Sequence, residues 1–156
     1  MRLVAIVENF LALEPMSDGE LELRLCGQQP ATPEHHRAAA YCFGMFLPGR
    51  RRQVGGIDLR LSESEDLKRY GGQIGYAVTP RFRGRQLAAR ALRLLLPLAR
   101  RHGFEELWIT CDPDNLASRR TCERAGAVLH ELVEIPAGHE MYLRGIRKKC
   151  RYLIIL

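Results

Sequence analysis

The sequence lacks any apolar run long enough to cross a membrane, and its five cysteines include no Cys-x-x-Cys pair. An odd number of scattered cysteines is typical of reduced thiols. Histidine and cysteine residues show no metal-ligand spacing, so we expect no bound metal. Glu8 and Asn9 interrupt the apolar run at the N-terminus, and no small-residue cleavage site follows it, which argues against a secretory signal. We therefore expect a cytoplasmic protein with no membrane partner.

Aromatic residues and lysine are also scarce. Aromatics make up 7% of the chain, and three lysines stand against 21 arginines in a net charge of +6. A chain this basic meets phosphate backbones with a salt-dependent affinity. However, it shows neither a helix-turn-helix spacing nor an aromatic-studded strand suited to base stacking. A basic nucleic-acid-binding module is therefore kept as an alternative function, with nucleic acid the less favoured partner.

The length of 156 residues predicts one domain over residues 1–156. Alternating and short apolar runs predict many strands, whereas helical periodicity occurs in two segments. Residues 1–15 fit both templates and are left open. The strands are expected near 20–25, 41–47, 53–61, 73–79, 106–111, 127–135 and 149–155, with helices near 86–102 and 116–125. This order predicts an α/β or α+β fold with a mixed sheet, in which 41–61 forms a hairpin.

The chain is organised around the stretch from Gln73 to His102, which reads as a strand, a short basic turn and a helix. Helix starts normally favour Asp or Glu because the helix dipole is positive there. Here the charges near the start are four arginines: Arg81, Arg83, Arg85 and Arg90. An anion held by free N–H groups, with Gly84 allowing close approach, would account for them, although solvated arginines fit equally well.

The turn from Val78 to Ala88 resembles the acetyl-CoA turn of the GNAT superfamily of N-acyltransferases, whose pattern is Gln/Arg-x-x-Gly-x-Gly/Ala. Arg83 fills the first position and Ala88 the last. Gln86 stands where the family usually has glycine, and its side chain could crowd a diphosphate or point away from it.

A second segment, from Asp112 to Gly126, resembles the next GNAT motif, and the two motifs keep the family's separation. Asn115 matches, and Ser118 takes the place of an alanine. Cys122 stands where many members have a tyrosine credited as general acid. It is our candidate catalytic residue, although a small buried apolar role is the favoured reading.

The resemblance implies a mostly antiparallel sheet with a central splayed pair of parallel strands, flanked by helices, and acetyl-CoA in the gap between them. The cofactor-binding residues that it implies are Ala77, Val78, Arg83, Gly84, Arg85, Gln86, Leu87, Ala88, Asn115 and Ser118.

The implied function is transfer of an acetyl group from acetyl-CoA to a primary amine of a small molecule or peptide. A CoA-binding relative without activity is a further alternative, and a homodimer is compatible with the sequence. No Asp or Glu lies in the Ile74–Val78 strand to serve as general base, so a water chain is the default.

Overall fold

The computed structural model describes residue 6 and residues 9–156, in eight strands and three helices. Of the segment left open, residues 1–15, the structure describes residue 6 and residues 9–15, none of which lies in a helix or strand; the rest lies outside the described residues. The strands are β1 Met16–Ser17, β2 Glu22–Gln29, β3 Ala40–Phe46, β4 Gln53–Arg60, β5 Ile74–Val78, β6 Glu106–Cys111, β7 Val128–Glu134 and β8 Lys148–Ile155. The helices are α1 Leu87–Arg101, α2 Leu116–Arg124 and α3 Glu140–Leu143.

The strands form two sheets, a five-stranded one in the order β1-β2-β3-β4-β5 and a three-stranded one in the order β6-β8-β7. Every ladder within the described residues is antiparallel, including the predicted hairpin of β3 and β4. The mixed α/β class is therefore confirmed. The expected parallel pair does not appear among these ladders, because β5 and β6 are edge strands of different sheets.

One main-chain hydrogen bond joins the two sheets between β5 and β6 in the described chain. The Gln73 N–H donates to the Trp108 carbonyl at 2.8 Å, and the Gln73 side-chain oxygen accepts from the Trp108 N–H at 2.8 Å. Gln73 is 1% exposed. Because a buried amide costs free energy unless it is hydrogen-bonded, this pair fixes the strands at one end, and no ladder continues beyond it.

Helix α1 covers one face of the five-stranded sheet. Its apolar residues recur at helical spacing, and Ala91, Leu92 and Leu95 are fully buried against Ile57 and Leu59 of β4. Burial of each such leucine contributes about 1.5–3 kcal/mol. This packing holds the start of α1 at the end of β5.

The helix continues through Pro97, which lies on its exposed face. The backbone bond that proline cannot make lies on the wet face, where water can satisfy the carbonyl. Gly103 follows the helix with φ of 93°, and Gly126 follows α2 with φ of 94°. Both glycines end their helices in the left-handed conformation, since glycine adopts positive φ without a steric cost.

Three details differ from the sequence prediction. The strand predicted at 20–25 runs on to Gln29, and β1 lies outside it at the sheet edge. The segment predicted as the loop 62–72 contains a π-helical turn, Leu67–Gly71. The loop between β7 and β8 contains α3, whose start is capped by His139. Short elements of this kind lack the periodicity on which a sequence prediction depends.

Candidate active site

A cleft opens where β5 and β6 separate beyond Gln73. It encloses a cavity of about 200 Å³, lined on one wall by Ile74, Gly75 and Tyr76 and on the other by Ile109 to Asp112. Asn115 and Ser118 of α2 line it as well. Among the described strands β5 pairs only with β4, so its other edge faces this cleft with backbone groups that no ladder pairs.

Tyr76 spans the cleft. Its hydroxyl lies 2.7 Å from the Ser118 Oγ and 3.5 Å from the Cys122 Sγ, and it donates to the Ser118 carbonyl at 3.2 Å. Burial raises the pKa of the phenol, so it stays protonated and able to donate a hydrogen bond. From the sequence, Tyr76 is only one residue of the predicted strand 73–79. Its partner lies 42 residues away, so no local signal reveals the contact.

Cys122 lies behind Tyr76 and is 0% exposed. Burial raises the pKa of its thiol to about 12, against a contribution from the Tyr76 hydrogen bond that lowers it. A thiol in this environment stays neutral and reacts slowly, because the thiolate is the reactive form. This position fits the small buried role favoured from the sequence.

The basic turn after β5 has the backbone of an anion site. Gly84 has φ of 83°, and Gln86 has φ of 59° as the N-cap residue of α1. No described residue accepts a hydrogen bond from the N–H groups of Gly84, Arg85 or Gln86, and no side chain caps the helix. The first N–H groups of an α-helix also lack partners within the helix. A row of donors from Gly84 into α1 is therefore free.

Gln86 adopts a left-handed conformation that glycine takes without strain. The family's usual glycine at this position is thus explained by the backbone, and Gln86 keeps the same backbone at a conformational cost. Leu87 and Ala88, which follow it, are 6% and 7% exposed, so they contribute their backbone and not their side chains to the turn.

The arginines around the turn divide into two groups. Arg90 pairs with Asp18 at 2.8 Å and Glu20 at 2.7 Å, so its charge is neutralised within the protein. Arg81 and Arg85 lie over the Phe82 ring, at 5.8 and 5.3 Å, and Arg52 of the β3–β4 hairpin lies 6.0 Å from the same ring. The hairpin tip therefore adjoins the turn, a proximity that the sequence does not show.

Arg83 points back along β5, and its Nε donates to the Val78 carbonyl at 3.0 Å. That carbonyl belongs to Val78, one of the cofactor-binding residues that the resemblance implies. Within the described residues no ion pair involves Arg83 or Arg85. Both positive charges are available to an anion bound at the turn.

Asn115 and Ser118 lie together on the far wall of the cleft. The Asn115 side chain accepts from the Ser118 N–H at 3.1 Å, which is the helix cap that the sequence predicts. The structure thus brings Ser118 and Asn115 opposite the Tyr76 region of β5, with Ala77 and Val78 one and two residues further along the strand. The turn from Arg83 to Ala88 lies at the end of that strand.

A larger cavity, of about 870 Å³, lies beside the cleft. Arg60 of β4 lines both, and its Nη1 donates to the carbonyls of Gly71 and Gly72 at 3.0 and 2.9 Å. Asp58 of β4 also lines this cavity. From the sequence, both residues are only alternate positions of the predicted strand 53–61.

The described residues contain no group of three or more His, Cys, Asp or Glu side chains placed to hold a metal ion. No helix among them is long and apolar enough to span a membrane.

Comparison with known families decides the assignment. Residues 7–128 match the family model of the acetyltransferase (GNAT) domain. The chain belongs to the GNAT acetyltransferase family. The resemblance stated from the two motifs and the classification as an acetyltransferase are thereby confirmed. No curated protein matches the chain.

Solved structures of similar fold are GNAT enzymes of low sequence identity. RimL, a ribosomal-protein α-N-acetyltransferase, superposes with a TM-score of 0.64 at 18% identity, over 92% of this chain and 98% of that one. RimJ of Mycobacterium smegmatis gives 0.57 at 21% identity, over 78% of this chain and 55% of that one. The acetyltransferase MccE gives 0.54 at 18% identity, over 75% and 61%.

These likenesses establish the fold. The RimL structure contains coenzyme A in a disulfide with a cysteine, the RimJ structure contains CoA disulfide, and the MccE structure contains acetyl-CoA and AMP. The chain spans under two thirds of the length of RimJ and MccE and nearly all of RimL.

Proposed function

We propose that this protein transfers an acetyl group from acetyl-CoA to a primary amine of a small molecule or peptide. The observation that carries the proposal is the cleft between the edge strands β5 and β6, which leads to a turn with free N–H donors and unpaired arginines. An open strand edge can accept an extended chain as an added strand, and free amides at a helix start can hold a diphosphate. Acetyl-CoA has both an extended pantetheine arm and a diphosphate.

In this arrangement the pantetheine arm runs along Ala77 and Val78, and the N–H groups of Gly84 to Ala88 hold the diphosphate. Arg83 and Arg85 add positive charge, and Asn115 and Ser118 line the opposite wall. The finer topology is part of the proposal: β5 and β6 act as the splayed parallel pair, although they form no ladder. The thioester then lies near Gly75 and Tyr76, the end of the cleft away from the diphosphate.

The reaction proposed is direct transfer. The nitrogen of the neutral amine attacks the thioester carbonyl, the C–N bond forms and the C–S bond breaks. The nitrogen loses a proton to water, and CoA leaves as a thiolate that takes up a proton. Cys122 is the candidate acid for that last step. With its pKa raised to about 12 it is a weaker acid than a thiol near the reference value of about 8.5, which favours a packing role.

The remaining parts of the proposal follow from the family and the sequence. The chain acts as one domain over residues 1–156, in the cytoplasm, as a monomer or a homodimer. RimL, by its name, acetylates the α-amino group of a protein, which supports a peptide acceptor. A CoA-binding relative without activity has the same cofactor site, so binding alone does not separate the two.

The experiment that tests the proposal measures release of CoA thiol from acetyl-CoA with a panel of primary amines and identifies the acetylated product by mass. We expect turnover above the rate with water for at least one amine. Gly84→Asp places a negative charge and a Cβ where φ is 83°, so it should abolish turnover by weakening acetyl-CoA binding. Binding of acetyl-CoA without acetylation of any small amine or peptide would indicate the inactive relative.

A further inference from the structure

The larger cavity beside the cleft is formed by the ends of β2, β3 and β4 and by the loops that follow β4 and β7. We infer that this cavity is the acceptor site, that it takes a small primary amine, and that the Asp58 carboxylate binds this amine as its ammonium, which loses a proton to water before the neutral nitrogen attacks. The inference rests on the proposed function, because it assigns the second substrate of the same reaction.

The position of the cavity is the first argument. Arg60 is a wall residue of both cavities, and its Nη2 lies so close to Gly75 that a Cβ there would be 2.7 Å away. Gly75 lies at the end of β5 opposite the basic turn. A cofactor whose diphosphate lies at the turn has its thioester at this end. The large cavity therefore adjoins the reacting group and lies away from the diphosphate.

The charges lining the cavity are the second argument. Asp58 is half-buried, and the described residues provide it with no ion-pair partner. Its carboxylate lies beside Cys42, where it adds to burial in raising the pKa of the thiol. A half-buried carboxylate without a cation is a site for an ammonium, because charge-assisted hydrogen bonds are about twice as strong as neutral ones.

The other acidic residues of the cavity already have partners. Asp66 accepts from the His139 Nε2 at 2.6 Å, and Glu140 pairs with Arg144 at 3.1 Å. His139 Nδ1 accepts a hydrogen bond from the Met141 N–H, which places the ring proton on Nε2. Both ring nitrogens are therefore occupied within the protein, and neither is left to bind a substrate. Asp58 hydrogen-bonds to the Cys42 thiol, and it is the carboxylate of this cavity that has neither an ion-pair nor a histidine partner within the described residues.

The size and lining of the cavity indicate a small molecule. A volume of about 870 Å³ falls within the range of about 300–1,000 Å³ typical of small-molecule sites. Much of the wall consists of small side chains, including Ala31, Ala38, Ser62 and Ser64. Arg37 also lines it and makes no ion pair within the described chain, so an amine that carries an anionic group fits as well as a simple one.

The test uses the full chain and four probes: 1,4-diaminobutane, tyramine, lysine and a peptide of about ten residues with a free N-terminus. Thiol release is measured with wild type, Asp58→Asn and a cavity-filling variant, Ala31→Trp. Glu63→Gln is the matched control, because Glu63 is exposed and lies on a bordering loop without lining the cavity. Calorimetric titration with acetyl-CoA is run on every variant.

We expect at least one small amine to be a better acceptor than the peptide. Asp58→Asn should raise the KM for that amine by roughly tenfold to a hundredfold, as loss of a charged hydrogen bond would, and leave the Kd for acetyl-CoA unchanged. Ala31→Trp should also raise this KM, and Glu63→Gln should not. Because Ala31 is exposed, that variant tests the site even if Asp58→Asn folds poorly.

Three outcomes overturn the inference. The peptide could be acetylated in preference to every small amine; no amine could react although acetyl-CoA binds; or the KM could be the same for wild type and both cavity variants. The first and third leave the proposed function standing. Absence of acetyl-CoA binding to wild type contradicts the proposed function itself, so the two failures are distinguishable.

Discussion

The Tyr76 hydroxyl lies 2.7 Å from the Ser118 Oγ, across the cleft between the two sheets. Tyr76 belongs to β5 and Ser118 to α2, which follows β6. Together with the Gln73–Trp108 pair, this contact connects the walls of the cleft at a second point, where no ladder connects them. The width of the proposed acetyl end is therefore set by these two contacts and not by a sheet ladder.

Tyr76→Phe removes this hydroxyl and leaves the ring in place. We expect the free energy of unfolding to fall by about 1 kcal/mol, the usual net value of a hydrogen bond, plus the cost of an unpaired Ser118 hydroxyl. Chemical denaturation measures the change. Tyr142→Phe is the control, because no described residue hydrogen-bonds to the Tyr142 hydroxyl. Equal stability of the two variants would mean that the contact contributes little.

Cys122→Ala tests the catalytic candidate. Because the thiol is buried and its pKa is raised to about 12, we expect kcat to change by less than tenfold and the main loss to be in stability. Cys122→Ser should also keep kcat within about tenfold of wild type. Steady-state kinetics with an identified acceptor, or slow hydrolysis of acetyl-CoA by water, provides the measurement. A fall of about a hundredfold in kcat, with the KM for acetyl-CoA unchanged, would assign Cys122 as the acid.

Because the Cys122 thiol is buried, we expect the free energy of unfolding to depend on pH in the alkaline range. Its folded pKa of about 12 lies above the ordinary value of 9.0, so its contribution is fully present below pH 9 and is lost as pH rises towards 12. Between about pH 8 and about pH 10.5, ionisation of the Cys122 thiol in the unfolded chain should lower the free energy of unfolding of wild type by about 2 kcal/mol. Chemical denaturation of wild type and Cys122→Ala at both pH values isolates this loss. The difference in free energy of unfolding between the two proteins should be smaller at the higher pH. A difference that does not change with pH would contradict the raised pKa of the Cys122 thiol.

Gln86→Gly should relieve backbone strain at the start of α1. Gln86 has φ of 59°, and the left-handed region costs a residue with a Cβ roughly 1–2 kcal/mol, partly offset by the greater freedom of glycine in the unfolded chain. We expect stability and acetyl-CoA affinity equal to wild type or better. Gln86→Ala keeps the strain and is the control. A large loss of affinity in both variants would show that the Gln86 side chain itself binds the cofactor.

The sequence predicts those parts of the fold whose signals are local. The switch from alternating to helical periodicity at Gln86 correctly predicted β5, the turn and α1, and Asn115 with Gly126 correctly predicted the bounds of α2 within one residue. These features depend on periodicity, capping and glycine conformation, which neighbouring residues determine. The division into two sheets is not local, because it depends on which edges pair.

In the site, too, the features set by neighbouring residues could be predicted and those set by distant residues could not. The basic turn could be predicted because its arginines and glycine are contiguous. The Tyr76 contact could not be predicted because its partner lies 42 residues away in α2, and the cavity that Asp58 lines could not because it is formed by segments that are distant in the sequence. The neutralisation of Arg90 by Asp18 and Glu20 likewise joins residues about 70 positions apart. A single sequence carries no signal for such pairs.

Calorimetric titration with acetyl-CoA tests the central claim most directly. We predict micromolar binding to wild type, and binding weaker by about 1–3 kcal/mol in the double variant Arg83→Ala/Arg85→Ala. The control Arg100→Ala/Arg101→Ala removes the same charge from the last turn of α1 and should bind as wild type does. Equal binding by all three proteins would place the diphosphate elsewhere. No binding of acetyl-CoA to wild type, together with salt-dependent binding to DNA, would contradict the account and support the nucleic-acid-binding alternative.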